Sequence, residues 1–159
     1  MNLLSFIPSH KAGLALSVLT GLMFGLGYYT WTYAEGGSYF SNDPRACANC
    51  HIMREYFDSW QKSPHHARAA CNDCHTPHDF VPKYLSKGEN GLRHSWKFTF
   101  QNFVEPLRIT QTNLDNLQAN CISCHEELTA GIAGRTQHGN SKEKTCIHCH
   151  AGVGHGARD

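Results

Sequence analysis

The 159-residue chain carries 14 Lys and Arg against 13 Asp and Glu, a net charge of +1, which points away from nucleic acid and from a highly charged scaffold. Its length suits one modest domain and an anchor. The unusual counts are 8 Cys and 12 His.

Residues 12–34, AGLALSVLTGLMFGLGYYTWTYA, make the first expected element. They carry no charge, and as a helix they would run about 34 Å, enough to cross a bilayer core of about 30 Å. His10 and Lys11 precede them and Glu35 follows. Residues 1–11 are therefore expected in the cytoplasm and residues 35–159 in the periplasm. Tyr28, Tyr29, Trp31 and Tyr33 gather at the outer end, where an interfacial aromatic belt belongs. A cleavable signal peptide would have an apolar core of only about 7–15 residues, and bulky Tyr33 spoils the best cleavage site, between Thr32 and Ala34. A retained, single-pass anchor in the cytoplasmic membrane is the expectation. Gly21 and Gly25 form a G-x-x-x-G, a possible helix-contact face.

Every cysteine beyond this segment falls in a C-x-x-C pair, and a His follows each pair at once. The pairs are Cys47/Cys50, Cys71/Cys74, Cys121/Cys124 and Cys146/Cys149, followed by His51, His75, His125 and His150. Four such followers would arise by chance roughly once in thirty thousand at this chain's His frequency. The spacing has a covalent reason. Two thiols add to the two vinyl groups of a haem, and the next His, on the inner side of the same turn, reaches the iron. Disulfides give the His no role, a redox dithiol needs one motif rather than four, and zinc sites have no use for a His after every pair. Four covalently bound c-type haems are expected. The first motif, RACANCHIMREYF, offers both His51 and Met53 as iron ligands, too close together to bind opposite faces.

The first two motifs begin 24 residues apart and the last two 25 apart, with residues 76–120 between. That spacing suggests two haem pairs joined by an insert. Within the insert Leu92, Trp96, Phe100 and Phe103 recur at helical spacing, with Gly91 before them and Pro106 after, so one helix is expected there. Short helices should carry the motifs, with irregular loops elsewhere and no strand. The fold class is mainly α with much irregular loop: a transmembrane helix plus a small domain organised around four haems.

Further His residues are candidates for the far side of each iron. His66, His138 and His155 are favoured: His155 in a glycine-rich loop, His138 upstream of the fourth motif, His66 (beside His65) before the second. His78 and His148 lie too close to their own motifs. In residues 36–159, Phe, Leu, Ile and Val together number 20, about 16%, below the level at which a chain usually has a core of its own. The haems are expected to supply that core, and the haem-free domain should be unfolded.

"CANCHIM", "SPHHARAACNDCH", "KGENG…FTF" and "CIHCHAGVGH", with one membrane helix and four C-x-x-C-H motifs, resemble the NapC/NirT family of membrane-anchored quinol dehydrogenases. Within it the likeness is strongest to the members that serve a cytochrome c nitrite reductase. The resemblance implies oxidation of menaquinol at the membrane surface and transfer of electrons, haem to haem, to a periplasmic multihaem nitrite reductase catalytic subunit in a hetero-oligomer. It implies that Met53, not His51, ligates haem 1, and that His75, His125 and His150 are the proximal ligands of haems 2, 3 and 4. It also implies that a lysine of the partner subunit ligates one haem. Thirteen positions separate Ala34 from Cys47, at most about 45 Å of extended chain, which keeps haem 1 near the headgroups. Quinol oxidation needs a proton acceptor beside the electron acceptor. Lys83, Lys87, Glu89 and His94 in the insert are the candidates, His94 standing where the family carries an acidic residue. A related dehydrogenase serving another reductase, or a passive electron wire, is the alternative. All four motifs end in His, which argues against a nitrite-reducing subunit.

Overall fold

The computed structural model describes residues 9–133 and 145–156. The chain divides into two units, residues 1–38 and 39–159.

The first unit is built on α1 (His10–Tyr33), started by Ser9, whose side chain accepts from the Ala12 backbone N–H. None of its residues is buried. Two of its hydroxyls are satisfied within the helix: Ser17 donates to the Gly13 carbonyl at 2.9 Å and Thr32 to that of Tyr28 at 3.0 Å. A lipid-facing helix has no water to bond them otherwise. α1 ends where Glu35 turns left-handed, φ 50°. Gly36 then lies against the Trp31 indole, where a Cβ would stand 2.5 Å from the ring, so only glycine fits.

The second unit holds α2 (Pro44–Cys47), α3 (Arg54–Gln61), α4 (Cys71–His75), α5 (Phe80–Thr99), α6 (Gln111–Cys124), α7 (Glu126–Ala133) and α8 (Cys146–Cys149). No strand occurs among the described residues. None of their hydrophobic side chains is buried; the buried polar residues are Thr76, Lys87 and Asn120. Polar clamps do the joining. Asn120 on α6 donates to the carbonyls of Cys74 and Thr76, both at 2.9 Å, tying the end of α4 to α6. Gln118 takes the Cys146 backbone N–H at 2.8 Å and docks α8 on α6. Asn90 and Asn113 exchange side-chain hydrogen bonds at 2.9 and 3.3 Å between α5 and α6.

The helix expected around Leu92 to Phe103 is longer at its start. It begins at Phe80 behind extended Asp79, with Pro82 in its first turn, and Gly88 and Gly91 lie inside it. It ends at Thr99, before Pro106: Gln101 is left-handed, φ 53°, and Lys97 Nζ reaches the Asn102 carbonyl at 3.1 Å. Val81, Leu85, Leu92, Trp96 and Phe100 share one exposed face. Lys83, Lys87, Asn90 and His94 lie on the opposite one.

Candidate haem and quinol site

The first motif is built differently from the other three. Cys47 closes α2, the chain extends at Cys50, and a 3-10 turn carries His51–Met53. In the second and fourth motifs both cysteines sit in one helix, and in the third both lie in the last turn of α6. His51 is exposed and Met53 half-buried, with the Met53 N–H held by the Cys50 carbonyl at 2.9 Å. The break before His51 alters how that side chain stands relative to the two sulfurs. Asp43 caps α2 and pairs with Arg45, whose hydrogen bonds hold the carboxyl down at about 2.

The motifs follow one another in space. The elements that carry them pack in chain order: α2 against α4, α4 against α6, and α6 against α8. The long insert therefore does not hold two haem pairs apart: folding back as α5, it leaves α4 packed directly on α6.

Two imidazoles on opposite faces of one iron, each nitrogen about 2 Å from it, have ring centres about 6 Å apart. His75 and His155 stand with ring centres 6.0 Å apart and planes 8° apart. His125 and His65 stand with ring centres 6.0 Å apart and planes 84° apart. His65 Nδ1 lies 3.1 Å from the Val153 carbonyl. A carbonyl only accepts, so Nδ1 carries the hydrogen and Nε2 keeps its lone pair, the form a second partner gives a metal ligand. Burial, with His155 beside it, pushes His75 down to about 4, which keeps that ring neutral as a ligand must be. His155 packs edge-on against Tyr56 at 5.0 Å, and its buried Nδ1 has no hydrogen-bond partner. His66, favoured from the sequence, instead meets Trp60 edge-on at 4.9 Å; of the adjacent pair it is His65 that faces His125. His150 is exposed at the end of α8, and His138 lies outside the described residues. His78 bonds the Asp73 carbonyl at 2.9 Å and His148 is exposed. All eight cysteines are free, and among the described residues no three His, Cys, Asp or Glu side chains converge as a zinc site requires. Paired thiols on single turns with imidazoles placed across from them fit covalent haem.

The insert candidates separate. Lys87 is 7% exposed, and its Nζ donates to the Ser41 carbonyl at 2.7 Å and to Asn42 Oδ1 at 3.3 Å. Asn72, beside Cys71, donates to the same two acceptors, so one polar knot joins α5, α4 and the chain entering the first motif. Burial, then the Lys83 charge, lowers the Lys87 ammonium, with Cys47 near enough to oppose the shift. Lys83 is half-buried on the same face. His94 lies two turns on from Lys87, and its Nδ1 meets the Tyr39 hydroxyl at 3.1 Å. Glu89 is exposed on another side of α5, away from Lys87 and His94. Sequence reading missed Tyr39, Asn72, Gln118 and Asn120, whose partners are 23 or more residues away and leave no local pattern.

The fold and the site define a multihaem c-type cytochrome. Residues 8–159 match the model of the NapC/NirT cytochrome c family, N-terminal region, and the chain belongs to that family. It is 37% identical over 147 residues to the cytochrome c-type protein NrfH of Wolinella succinogenes, covering 87% of this chain and 83% of the relative. It is 32% identical over 166 residues to the cytochrome c-type protein NapC of Escherichia coli K12, covering 89% and 82%. The cytochrome c nitrite reductase subunit NrfH of Nitratidesulfovibrio vulgaris is 30% identical over 124 residues, 78% of this chain and 74% of the relative. Among solved structures it is similar to the cytochrome c nitrite reductase NrfHA complex bound to the HQNO inhibitor, with a TM-score of 0.63 and 27% identity over 87% of this chain and 90% of that one.

Proposed function

We propose that this chain is a membrane-anchored tetrahaem quinol dehydrogenase that oxidises menaquinol and delivers the electrons to a cytochrome c nitrite reductase catalytic subunit, with which it forms a hetero-oligomer. The observation that carries it is the packing of the motif helices in chain order, α2 on α4, α4 on α6 and α6 on α8, joined to similarity over most of the chain with NrfH proteins and with a chain of the NrfHA complex. The haem, when bound, supplies a one-electron acceptor; this chain's residues hold it, orient it and manage the protons. In this reading Met53 ligates haem 1, His75 and His155 haem 2, and His125 and His65 haem 3. His150 would hold haem 4, together with His138 or a partner lysine. The Lys83–Lys87–His94 face of α5, beside the first motif, receives the quinol; Lys87 binds a quinol oxygen and His94 takes the proton. Residues 1–11 stay in the cytoplasm, residues 12–34 span the membrane, and residues 35–159 form the periplasmic domain.

A related dehydrogenase feeding another reductase is the second reading, favoured by the 32% identity to NapC. Purification in mild detergent separates the two: a multihaem nitrite reductase subunit should come with the chain. The isolated chain should be reduced promptly by a reduced menaquinol analogue, should not turn over nitrite, and should pass electrons to nitrite once the partner is added. Absence of quinol-driven reduction would leave only a passive wire.

A further inference from the structure

Tyr39 lies eight residues before the first motif and has no place in the scheme above. Its hydroxyl lies 3.1 Å from His94 Nδ1, bridging 55 positions of chain. Its ring rests on Gly91, where an added Cβ would stand 3.3 Å from the ring edge. Lys87, on the same face of α5 as His94, donates to the carbonyl of Ser41, two residues after Tyr39 on the chain that leads into the first motif. One side chain thus touches the helix face that carries the proton acceptor and stands on the segment leading to the attachment point of haem 1.

We propose that Tyr39 is the positioning residue of the quinol-oxidising site: its hydroxyl oxygen receives the Nδ1 hydrogen of His94, fixes the ring with Nε2 toward the substrate, and stabilises the imidazolium formed there. The proposal rests on the reading that quinol is oxidised at this face. An imidazolium carries hydrogens on both nitrogens, so opposite it Tyr39 can only accept. Each quinol loses two protons and two electrons. A quinol O–H bond breaks as the proton goes to Nε2, where it stays until released to water, and this happens twice; the electrons go to the bound haem chain. Partial burial and the neighbouring Arg93 charge lower His94, so the ring is neutral and able to accept. Burial raises Tyr39, so its hydroxyl stays protonated and neutral. Arg93 on α5 and Tyr39 from the turn before α2 are the charged or titratable groups on this dyad; Cys50 and Cys47 beyond it are uncharged thioethers once haem is attached.

The test is Tyr39→Phe in the full, haem-loaded chain in detergent. A hydrogen bond favours the protonated ring, so its loss lowers the His94 pKa. The acid limb of the pH–rate profile should move to lower pH and kcat for quinol oxidation should fall about tenfold. KM, HQNO affinity and the visible haem spectrum should stay within twofold of the parent. Unchanged kcat with an unmoved limb overturns the proposal. Gly91→Ala gives a second handle if haem loading suffers: it improves helix propensity yet presses on the Tyr39 ring, so it should slow quinol oxidation in the same direction by a smaller factor. Faster or equal turnover there counts against the proposal. His94→Gln separates the two levels. Loss of the limb in His94→Gln with no effect of Tyr39→Phe sinks only the positioning role; a limb that survives His94→Gln sinks the quinol site and the proposal together.

Discussion

His65 and His66 are adjacent, yet one ring faces His125 and the other packs on Trp60. Position before the second motif made both candidates and favoured His66; that His65 is the one facing His125 goes with its contact to the Val153 carbonyl, 88 positions away, which no local pattern announces. His75 and His155 were legible individually, one from its motif and one from its glycine-rich loop, but their facing each other was not. His65→Ala should turn one haem high-spin, seen in the Soret band and by electron paramagnetic resonance, while His66→Ala leaves every spin state unchanged. The same measurements divide the first motif. Met53→Ala should perturb haem 1 and quinol oxidation, and His51→Ala should leave its axial ligand in place. A thioether favours reduced iron, so the Met53 haem should also have a raised potential.

At the scale of elements, helices at the motifs were readable because C-x-x-C-H confines them, whereas the start of α5 was not. Its apolar residues signal the period, but Lys83 and Lys87 mark the inward face, the reverse of the usual amphipathic reading. Gly91 looked like a helix start and is instead the place where Tyr39 packs. The joint between α4 and α6 hangs on buried Asn120, whose bond to the Thr76 carbonyl is buried and whose bond to the Cys74 carbonyl is partly so. Asn120→Ala leaves both carbonyls unpaired and should destabilise the haem-loaded domain by about 2 kcal/mol. Thermal denaturation followed in the visible band should show it, whereas the exposed Gln111→Ala should change little.

Across the whole molecule, the scarcity of Phe, Leu, Ile and Val beyond the membrane segment is matched by a described structure with no buried hydrophobic side chain and three buried polar ones. That much was legible, because a count of apolar residues needs no partner assignment. How the motifs adjoin was not, since the insert hides it. With all eight cysteines replaced by Ser, residues 35–159 should give the far-UV circular dichroism of an unfolded chain, in contrast to the helical spectrum of the haem-loaded protein. A cooperative unfolding transition in the substituted chain would show that the polypeptide carries a core of its own. The packing of the motif helices in chain order, α2 on α4, α4 on α6 and α6 on α8, has a different consequence. Haems held on these helices would be wired in series rather than in parallel. Throughput would then be set by the slowest single hand-off, and a break at α4 would isolate the first motif however intact the remaining centres are.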